Sequence, residues 1–526
     1  MNHTCSAHPG LRSHLGPNNE SFSRSHLSSS PQNAKRRCNL SFRPRAERVG
    51  SENGVQKLSP SWEIPKRDCF PSDFIFGAAT SAYQVVGMKM ERGQALGITS
   101  ATLIRDSRRE QWGRRNQFVP SVPWTLEGGI NWEGIHYYKR LINLLLENGI
   151  QPFVTIFHWD TPQALVDKYG GFLDQRIVKD YTDFAKVCFE NFGDKVKNWL
   201  TFNEPQIFCS MSYGTGTLAP GRCSPGQKCA VPTANSLTEP YIVGHNLLRA
   251  HAEAVDLYNK YYKGENGRIG LVFDIMGYLP YENTFLDQHA QERSMDLNLG
   301  WFVEPVVRGD YPFSMRSLAR ERLPFFTDKE QEKLVGSYDM MGINYYTSKF
   351  SKHIDISPNY SPVFNTDDAY ATKETYGPDG NPIGPSTGNS WIYMYPEGLK
   401  DVLMIMKNKY GNPPIYITEN GMGDVDNGNL PIQVALNDHK RVEYLQRHIA
   451  TLKESMDLGA NVHGYFTWSL LDNFEWATGY TERFGLVYVD RKHGCKRTMK
   501  LSARWLQEFN GAAKKVEDKI LTPALN

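Results

Sequence analysis

The chain has 526 residues, of which 40% are hydrophobic, 22% charged and 12% aromatic, so it can bury a large core. Its formal net charge of +2 and the scarcity of basic runs beyond residue 50 argue against a nucleic-acid partner. No uninterrupted apolar stretch reaches the length of a membrane-spanning helix, so we expect no membrane partner.

The first 60 residues differ in composition from the rest of the chain. Residues 1–60 are rich in Ser and Arg, poor in acidic residues, and contain the basic cluster Lys35-Arg36-Arg37. Because they lack the continuous apolar segment of a secretory signal, this composition predicts an organelle transit peptide, with a merely disordered leader as the alternative. The folded domain is then expected at 61–510, and 511–526 is expected to be a polar C-terminal tail.

Beyond Phe70, short β-rich apolar segments alternate with amphipathic segments, which is typical of βα units around a parallel sheet. The predicted strands are Phe74–Ala78, Pro152–Phe157, Val196–Phe202, Arg268–Phe273, Met340–Tyr345, Pro414–Thr418 and Val462–Trp468. The predicted helices are Asn131–Asn148, Ile177–Phe192, Thr238–Tyr262, Ala290–Val303, Pro396–Lys409 and Asp438–Leu458. No linker divides this region, so we expect one α/β domain, and the length suits a single (β/α)8 TIM barrel.

Polar residues follow most of the predicted strands. These strand ends are Tyr83-Gln84, His158-Trp159-Asp160, Asn203-Glu204-Pro205, Asn344-Tyr345-Tyr346, Glu419-Asn420-Gly421, and Trp468 followed by Asn473, Glu475 and Trp476. In a barrel of parallel strands, the C-terminal edge carries the reacting groups. A purely structural barrel would not end strand after strand in carboxylates, amides and indoles, so the sequence predicts a site at this edge.

Two of these strand-terminal residues, Glu204 and Glu419, are candidates for paired acid chemistry. Cleavage of a glycosidic bond with retention of configuration needs two carboxyl groups roughly 5 Å apart, one to attack the anomeric carbon and one to protonate the leaving oxygen. For either residue alone, a solvated or salt-bridged strand end is an equally good interpretation. The pair, with an Asn beside each Glu, favours the catalytic interpretation.

The cysteines do not form a disulfide framework at this chain length. Cys223 and Cys229 flank Ser224-Pro225-Gly226 in a loop-like segment, so we expect a small loop-closing disulfide there. The sequence contains neither a CxxC nor an HExxH metal pattern, and we expect no metal site.

Three segments resemble the signatures of glycoside hydrolase family 1: Phe74–Gln84, Thr201–Pro205 and Ile417–Gly421. The resemblance extends from about Phe70 to Gln84 and from Gly128 to Asp490, and it is nearest to plant plastid β-glucosidases of chemical defence, which act on benzoxazinoid glucosides or dhurrin. It implies a (β/α)8 barrel, a plastid location, a small-molecule β-glucoside as substrate, no metal or organic cofactor, and a homodimer as an assembly to be tested.

The resemblance also implies roles for individual residues. Glu419 would be the nucleophile, Glu204 the acid/base, Tyr346 a hydrogen-bond donor to the nucleophile, and Asn203 a contact to the sugar 2-hydroxyl. The remaining glucose and aglycone contacts would be Gln84, His158, Trp391, Trp468, Glu475, Trp476 and Phe484. Considered singly, His158 reads as a satisfied core histidine and Trp468 as core filler. Because thioglucosidase relatives have Gln in place of the acid, Glu204 implies O-glucosides.

Residues 85–127 depart from the family pattern. The segment Gln84-Val85-Val86-Gly87 lacks the family's continuing Gln-x-Glu-Gly, and the following stretch is strongly basic without helical or strand periodicity. It is also roughly thirty residues too short for the fixed count of βα units. We therefore expect the second strand to be missing or aberrant, which would leave two sheet edges unpaired. A divergent loop and strand is the alternative.

Three functions remain open from the sequence. Retaining hydrolysis of O-β-D-glucosides is the first. A catalytically impaired sugar-binding pseudoenzyme is the second, because 85–127 would normally supply an Arg that contacts the nucleophile. A transglucosidase is the third, since it would use the same covalent intermediate with another acceptor.

Overall fold

The computed structural model describes residues 63–86, 129–357, 359–426 and 430–511. The predicted leader at 1–60, residues 87–127 of the divergent segment and residues 512–526 of the predicted tail lie outside the described residues.

The central sheet contains seven parallel strands within the described ranges. They are β1 (Ile75–Ala79), β2 (Phe153–Phe157), β3 (Asn198–Asn203), β4 (Arg268–Asp274), β5 (Met340–Asn344), β6 (Ile415–Asn420) and β7 (Val462–Trp468). Their order in the sheet is β1-β7-β6-β5-β4-β3-β2. Chain order and spatial order therefore agree from β2 to β7, and β1 returns beside β7, as in a sheet that curls toward a barrel.

All seven predicted strands are present, and their bounds differ from the prediction by no more than two residues. The differences are concentrated where a strand continues into polar residues. Thus β6 includes Glu419 and Asn420, and β4 includes Asp274. These polar ends carry no apolar signal, although their backbones still pair with neighbouring strands.

Fourteen α-helices occur in the described part of the chain. They are α1 (Ala82–Val86), α2 (Trp132–Glu147), α3 (Gln163–Tyr169), α4 (Arg176–Phe192), α5 (Pro205–Tyr213), α6 (Glu239–Tyr261), α7 (Phe285–Met295), α8 (Trp301–Arg308), α9 (Phe313–Ala319), α10 (Asp328–Leu334), α11 (Glu397–Lys409), α12 (Ile432–Leu436), α13 (His439–Asp457) and α14 (Leu501–Phe509). The longer helices bury one apolar face each, which explains why their periodicity predicted them.

One predicted helix, Ala290–Val303, has different bounds in the structure. Helix α7 begins earlier, at Phe285, because the Thr284 side chain accepts a hydrogen bond from the Asp287 amide and so caps the helix. The first turn is exposed at Phe285 and therefore shows no buried periodicity. A π-helical segment, Asp296–Gly300, then connects α7 to α8.

Strands β1 and β2 lie at the two ends of the sheet formed by the described strands. In the sheet order these two strands are the outermost of the described strands, and neither pairs with the other. An eight-stranded barrel would have its second strand between these two, which is also where the sequence departs from the family pattern. The expectation of a missing or aberrant strand falls on residues that lie outside the described ranges, so it stays a prediction.

Cys223 and Cys229 form a disulfide, with their Cα atoms 6.1 Å apart. The bridge closes the loop that follows α5 (Pro205–Tyr213), the helix that begins directly after Glu204. The loop therefore lies in the polypeptide that leaves the C-terminal edge of β3.

A buried ionic cluster holds the loop after β7. Asp472 is fully buried and accepts hydrogen bonds from Lys500 (2.9 Å) and Arg483 (2.8 Å), and from two backbone amides, Gly485 and Val489. Burial raises the pKa of Asp472, but the two cations outweigh burial and hold that pKa below its usual value. The loop that carries Asn473, Glu475 and Trp476 is thereby fixed to the end of the chain.

We expect Asp472→Asn to destabilise the fold by about 3–5 kcal/mol, because it leaves the Lys500 charge buried without a counter-charge and removes one of the two carboxylates, Asp472 and Asp426, that pair with Arg483. The midpoint of urea unfolding measures the loss. Glu190→Gln is the matched control, since the Lys186–Glu190 pair is half exposed, with N and O 3.7 Å apart, and such pairs contribute about 0–1 kcal/mol. Equal shifts in the two variants would contradict the structural role of the cluster.

Candidate active site

Glu204 stands at the junction of β3 and α5, at the C-terminal edge of the sheet. Its backbone is left-handed, with φ 43° and ψ 58°, and Pro205 begins the helix immediately after it. The Glu204 amide donates to the Val272 carbonyl at 2.9 Å, which ties the junction to β4. A non-glycine residue held in this conformation is strained, and such strain is concentrated at functional sites.

Asn344, at the end of β5, links the two predicted catalytic carboxyl groups. Its side-chain amide donates to Glu204 Oε1 at 2.6 Å and to Asn203 Oδ1 at 3.2 Å, and the same amide lowers the pKa of Glu419 by stabilising its charge. Thr418 donates to Asn344 Oδ1 at 2.6 Å, which leaves the Nδ2 group to face the carboxyl groups. Since one short amide contacts both Glu204 and Glu419, the two carboxyl groups lie on one side of the pocket.

Glu419 also accepts a hydrogen bond from the Tyr346 hydroxyl at 2.7 Å. The Tyr346 ring packs at 5.6 Å from the ring of Trp391 and at 6.3 Å from that of Phe484. Phe484 is buried, whereas Trp391 is 37% exposed. Tyr346, which donates to Glu419, therefore packs against one buried aromatic ring and one partly exposed ring.

The surroundings of Glu204 and Glu419 determine which of the two carboxyl groups loses its proton first. Burial, Asp274 and Glu419 raise the pKa of Glu204 well above its ordinary value. Burial also raises the pKa of Glu419, to about 8, but the hydrogen bonds from Tyr346 and Asn344 oppose that increase. Glu419 consequently gives up its proton before Glu204, so when the pair loses its first proton the charge lies on Glu419 and Glu204 stays neutral.

The rings of His158, Trp468 and Trp476 stand parallel. The His158 ring centroid is 6.1 Å from that of Trp468 and 5.9 Å from that of Trp476. Its Nε2 lies 3.4 Å from the Asn203 amide, and the Trp159 indole donates to the Asn203 carbonyl at 2.9 Å. Burial lowers the pKa of His158 to about 3, so the imidazole is neutral and can hydrogen-bond a hydroxyl group.

Gln84 and Glu475 complete the pocket from opposite ends of the sequence. The Gln84 amide donates to Glu475 Oε2 at 3.3 Å, and Trp468 also hydrogen-bonds Glu475. Burial, followed by the charge of Glu419, raises the pKa of Glu475 to about 8. The structure therefore brings all the predicted catalytic and sugar-contacting residues into one connected set of contacts.

The sequence analysis placed Asn344 among the polar strand ends without giving it a role, and it did not name Asp274. Asp274 ends β4 in register with Asn344 of β5, and Asn344 is in turn in register with Glu419 of β6. The charge of Asp274 raises the pKa of both Glu204 and Glu419, and burial raises the pKa of Asp274 itself to about 7. The signal was available, because both residues are polar and terminate predicted strands.

Across the described ranges, no group of three or more His, Cys, Asp or Glu side chains is arranged to hold a metal ion. None of the helices described is long and apolar enough to cross a lipid bilayer.

The chain is similar to known proteins over most of its length. A model of the family described as "Glycosyl hydrolase family 1" matches residues 120–515, about three quarters of the chain. Two maize proteins match the whole chain and 99% of their own length, at 70% and 67% identity. They are named 4-hydroxy-7-methoxy-3-oxo-3,4-dihydro-2H-1,4-benzoxazin-2-yl glucoside beta-D-glucosidases 2 and 1, chloroplastic. Those names confirm the predicted plastid localisation.

A solved structure of the rice β-glucosidase Os3BGlu6 matches 84% of this chain and 99% of its own, with 38% identity and a TM-score of 0.77. A mutant of that enzyme has been solved in a covalent complex with glucose. These matches confirm the predicted barrel fold.

The full-length alignment to the first maize protein extends over 559 positions, whereas this chain has 526 residues. At least 33 aligned positions therefore have no residue here.

Proposed function

The chain belongs to glycosyl hydrolase family 1 and is a retaining β-glucosidase, and from this we propose that it hydrolyses benzoxazinoid glucosides with Glu419 as nucleophile and Glu204 as acid/base. The observation that carries the assignment of roles is the shared contact to Asn344. Two buried carboxyl groups on one amide, with the proton retained on Glu204, match what a double displacement requires.

In the first step, Glu419 attacks the anomeric carbon while Glu204 gives its proton to the glycosidic oxygen. The C–O bond to the aglycone breaks, and an ester bond to Glu419 forms. The Tyr346 hydroxyl, which donates to Glu419, favours the ionised form that attacks.

In the second step, Glu204 removes a proton from water, which attacks the anomeric carbon; the bond between that carbon and the Glu419 oxygen breaks, and glucose and the Glu419 carboxylate are released. Esterification removes the charge of Glu419, one of the charges that raise the pKa of Glu204. Glu204 can therefore ionise and serve as the base. The same residue thus changes roles between the two half-reactions.

The aglycone is assigned from similarity and from one residue. The two maize relatives are named for a benzoxazinone glucoside, a flat bicyclic compound. Trp391 is partly exposed beside Tyr346, so its indole is available to stack on such a ring. We extend the proposal to a homodimer, which light scattering of the purified protein tests.

Labelling with 2,4-dinitrophenyl 2-deoxy-2-fluoro-β-D-glucoside tests the roles. Its good leaving group allows ester formation without Glu204, and its fluorine slows the release of the sugar. Mass spectrometry of the digest is expected to show one fluoroglucosyl group on the peptide containing Glu419. Label on any other carboxyl group, in a chain that turns over β-glucosides, would contradict the assignment. Release of glucose from a benzoxazinone glucoside, compared with a simple alkyl glucoside, tests the aglycone.

A specific observation favours a second candidate, a sugar-binding protein with impaired turnover. The pKa of about 8 for Glu419 is set by burial, Tyr346, Asp274 and Asn344, and a cation is not among these groups in the described part of the chain. A nucleophile that is largely protonated at neutral pH attacks slowly. Binding of glucose without turnover of any aryl glucoside would support this candidate, and new glycosides formed with added alcohols would support a transglucosidase.

Asp274→Asn is expected to move the alkaline limb of the kcat/KM profile to lower pH by about one pH unit. The reason is that Asp274 raises the pKa of Glu204, and Glu204 must be protonated for the first step. Removing that negative charge lowers the pKa of the acid, so activity is lost at a lower pH. Asp274→Glu keeps the charge and is the control. An unchanged alkaline limb in Asp274→Asn would show that this charge does not act on Glu204.

A further inference from the structure

Helix α13 (His439–Asp457) buries several polar side chains together with its apolar ones. Arg441, Tyr444 and His448 follow one another at helical spacing, and each is 0% exposed. Helices that cover a parallel sheet usually present apolar residues to it. Polar side chains at such positions are retained where they have specific partners, so their hydrogen bonds identify what they do.

The partners of Tyr444 are backbone and side-chain groups next to the catalytic pocket. Its hydroxyl donates to the Tyr346 carbonyl at 2.6 Å and accepts from the Asn420 amide at 3.2 Å. That amide also donates to the Tyr345 carbonyl at 2.6 Å, and the Tyr465 hydroxyl donates to Asn420 Oδ1 at 2.5 Å. Two consecutive carbonyl groups after β5 are thus fixed to the end of β6.

These two attachment points flank a hydrogen bond of the active site. Tyr346 donates from its phenol to Glu419, and Asn420 is the next residue after Glu419. The Tyr444 hydroxyl contacts both the backbone of Tyr346 and the side chain of Asn420. The Tyr444 hydroxyl therefore fixes the position of the donor, Tyr346, relative to the acceptor, Glu419. Tyr444 itself is buried and inaccessible to substrate.

We propose that Tyr444 is a positioning residue, which holds Tyr346 and Glu419 in register so that the phenol donates to the nucleophile. The proposal rests on the function proposed above. A weakened Tyr346–Glu419 hydrogen bond stabilises the carboxylate less, so the nucleophile ionises at higher pH and is misaligned for attack. Ground-state binding of glucose depends on other residues and changes little.

Tyr444→Phe removes the hydroxyl and keeps the ring. We expect kcat/KM to fall about tenfold, mainly through kcat, and the acid limb of its pH profile to rise by about half a pH unit. Inactivation by the fluoroglucoside, which needs Glu419 but not protonation by Glu204, should slow by a similar factor. Tyr465→Phe, two hydrogen bonds further from Tyr346, should give the same changes at a smaller size.

Tyr181→Phe is the matched control. Tyr181 is also fully buried, and its hydroxyl donates to a carbonyl, that of Thr201, at 2.7 Å. Both variants lose one buried tyrosine–carbonyl hydrogen bond, so both lose stability, but only Tyr444→Phe should move the acid limb. An acid limb that stays in place, or that moves equally in the control, would overturn the proposal.

A readout without turnover separates this proposal from the proposed function. The cationic iminosugar 1-deoxynojirimycin should bind more tightly as the nucleophile ionises, so calorimetry across pH reports the ionisation of Glu419. If the unmodified chain binds it but cleaves no glucoside, hydrolysis fails as the function while the Tyr444 comparison still stands. Coincident pH dependence of binding in the unmodified protein and in Tyr444→Phe would overturn the positioning role alone.

Discussion

Replacing Glu419 by glycine is expected to lower kcat for an aryl β-glucoside on the order of 10⁵-fold, because the variant has no carboxylate to attack the anomeric carbon. The vacated space beside Tyr346 and Asn344 can admit a small anion. Added azide should therefore attack the same carbon from the same side and give α-glucosyl azide. Initial rates and proton NMR of the product measure both effects.

Glu304→Gln is the control for the loss of a buried glutamate. Glu304 is 8% exposed and pairs with Arg308 and Lys409, outside the set of residues around Glu419. Its replacement should leave kcat within a few fold of the unmodified enzyme at a temperature where the variant is folded. Residual turnover of Glu419→Gly above about one per cent, without azide, would exclude Glu419 as the nucleophile.

Glu204→Gln is expected to have an effect that depends on the leaving group. For a glucoside with a poorly acidic aglycone, kcat/KM should fall about 10³-fold, because the leaving oxygen receives no proton. For a dinitrophenyl glucoside it should change little, since that leaving group needs no proton. The alkaline limb of the pH profile should disappear with the acid that produces it.

Azide distinguishes this variant from Glu419→Gly. In Glu204→Gln the ester on Glu419 still forms, and azide attacks it without needing a base, so the product should be β-glucosyl azide. The opposite configuration in the two variants would establish which carboxyl group occupies which face of the sugar. An equal loss of kcat/KM for good and poor leaving groups would mean that Glu204 does not act as the proton donor.

Much of the pocket could be predicted from strand ends. Glu204, Glu419, Asn203 and His158 each follow a β-rich segment, and parallel strands direct their C-terminal ends to one edge. Asp274 follows the same rule but was overlooked, because no sequence signature surrounds it. Its position directly after a predicted strand would have been sufficient to include Asp274 in the predicted site.

Other features could not be derived locally. Tyr444 appears in the sequence as one residue on the inner face of an amphipathic helix, and its acceptor is a backbone carbonyl more than ninety residues earlier. Backbone acceptors carry no sequence identity, so pattern analysis cannot assign them. The contact between Gln84 and Glu475, which joins both ends of the domain, likewise depends on closure of the sheet.

The positions of β1 and β2 link sugar binding to the stability of the fold. Gln84 follows β1 and His158 follows β2, so the two residues lie after the two outermost strands of the described sheet. A glucose molecule that binds both residues would connect the two outermost described strands. Occupancy by sugar should therefore raise the midpoint of thermal unfolding, and the increase should grow with the ratio of sugar concentration to its dissociation constant.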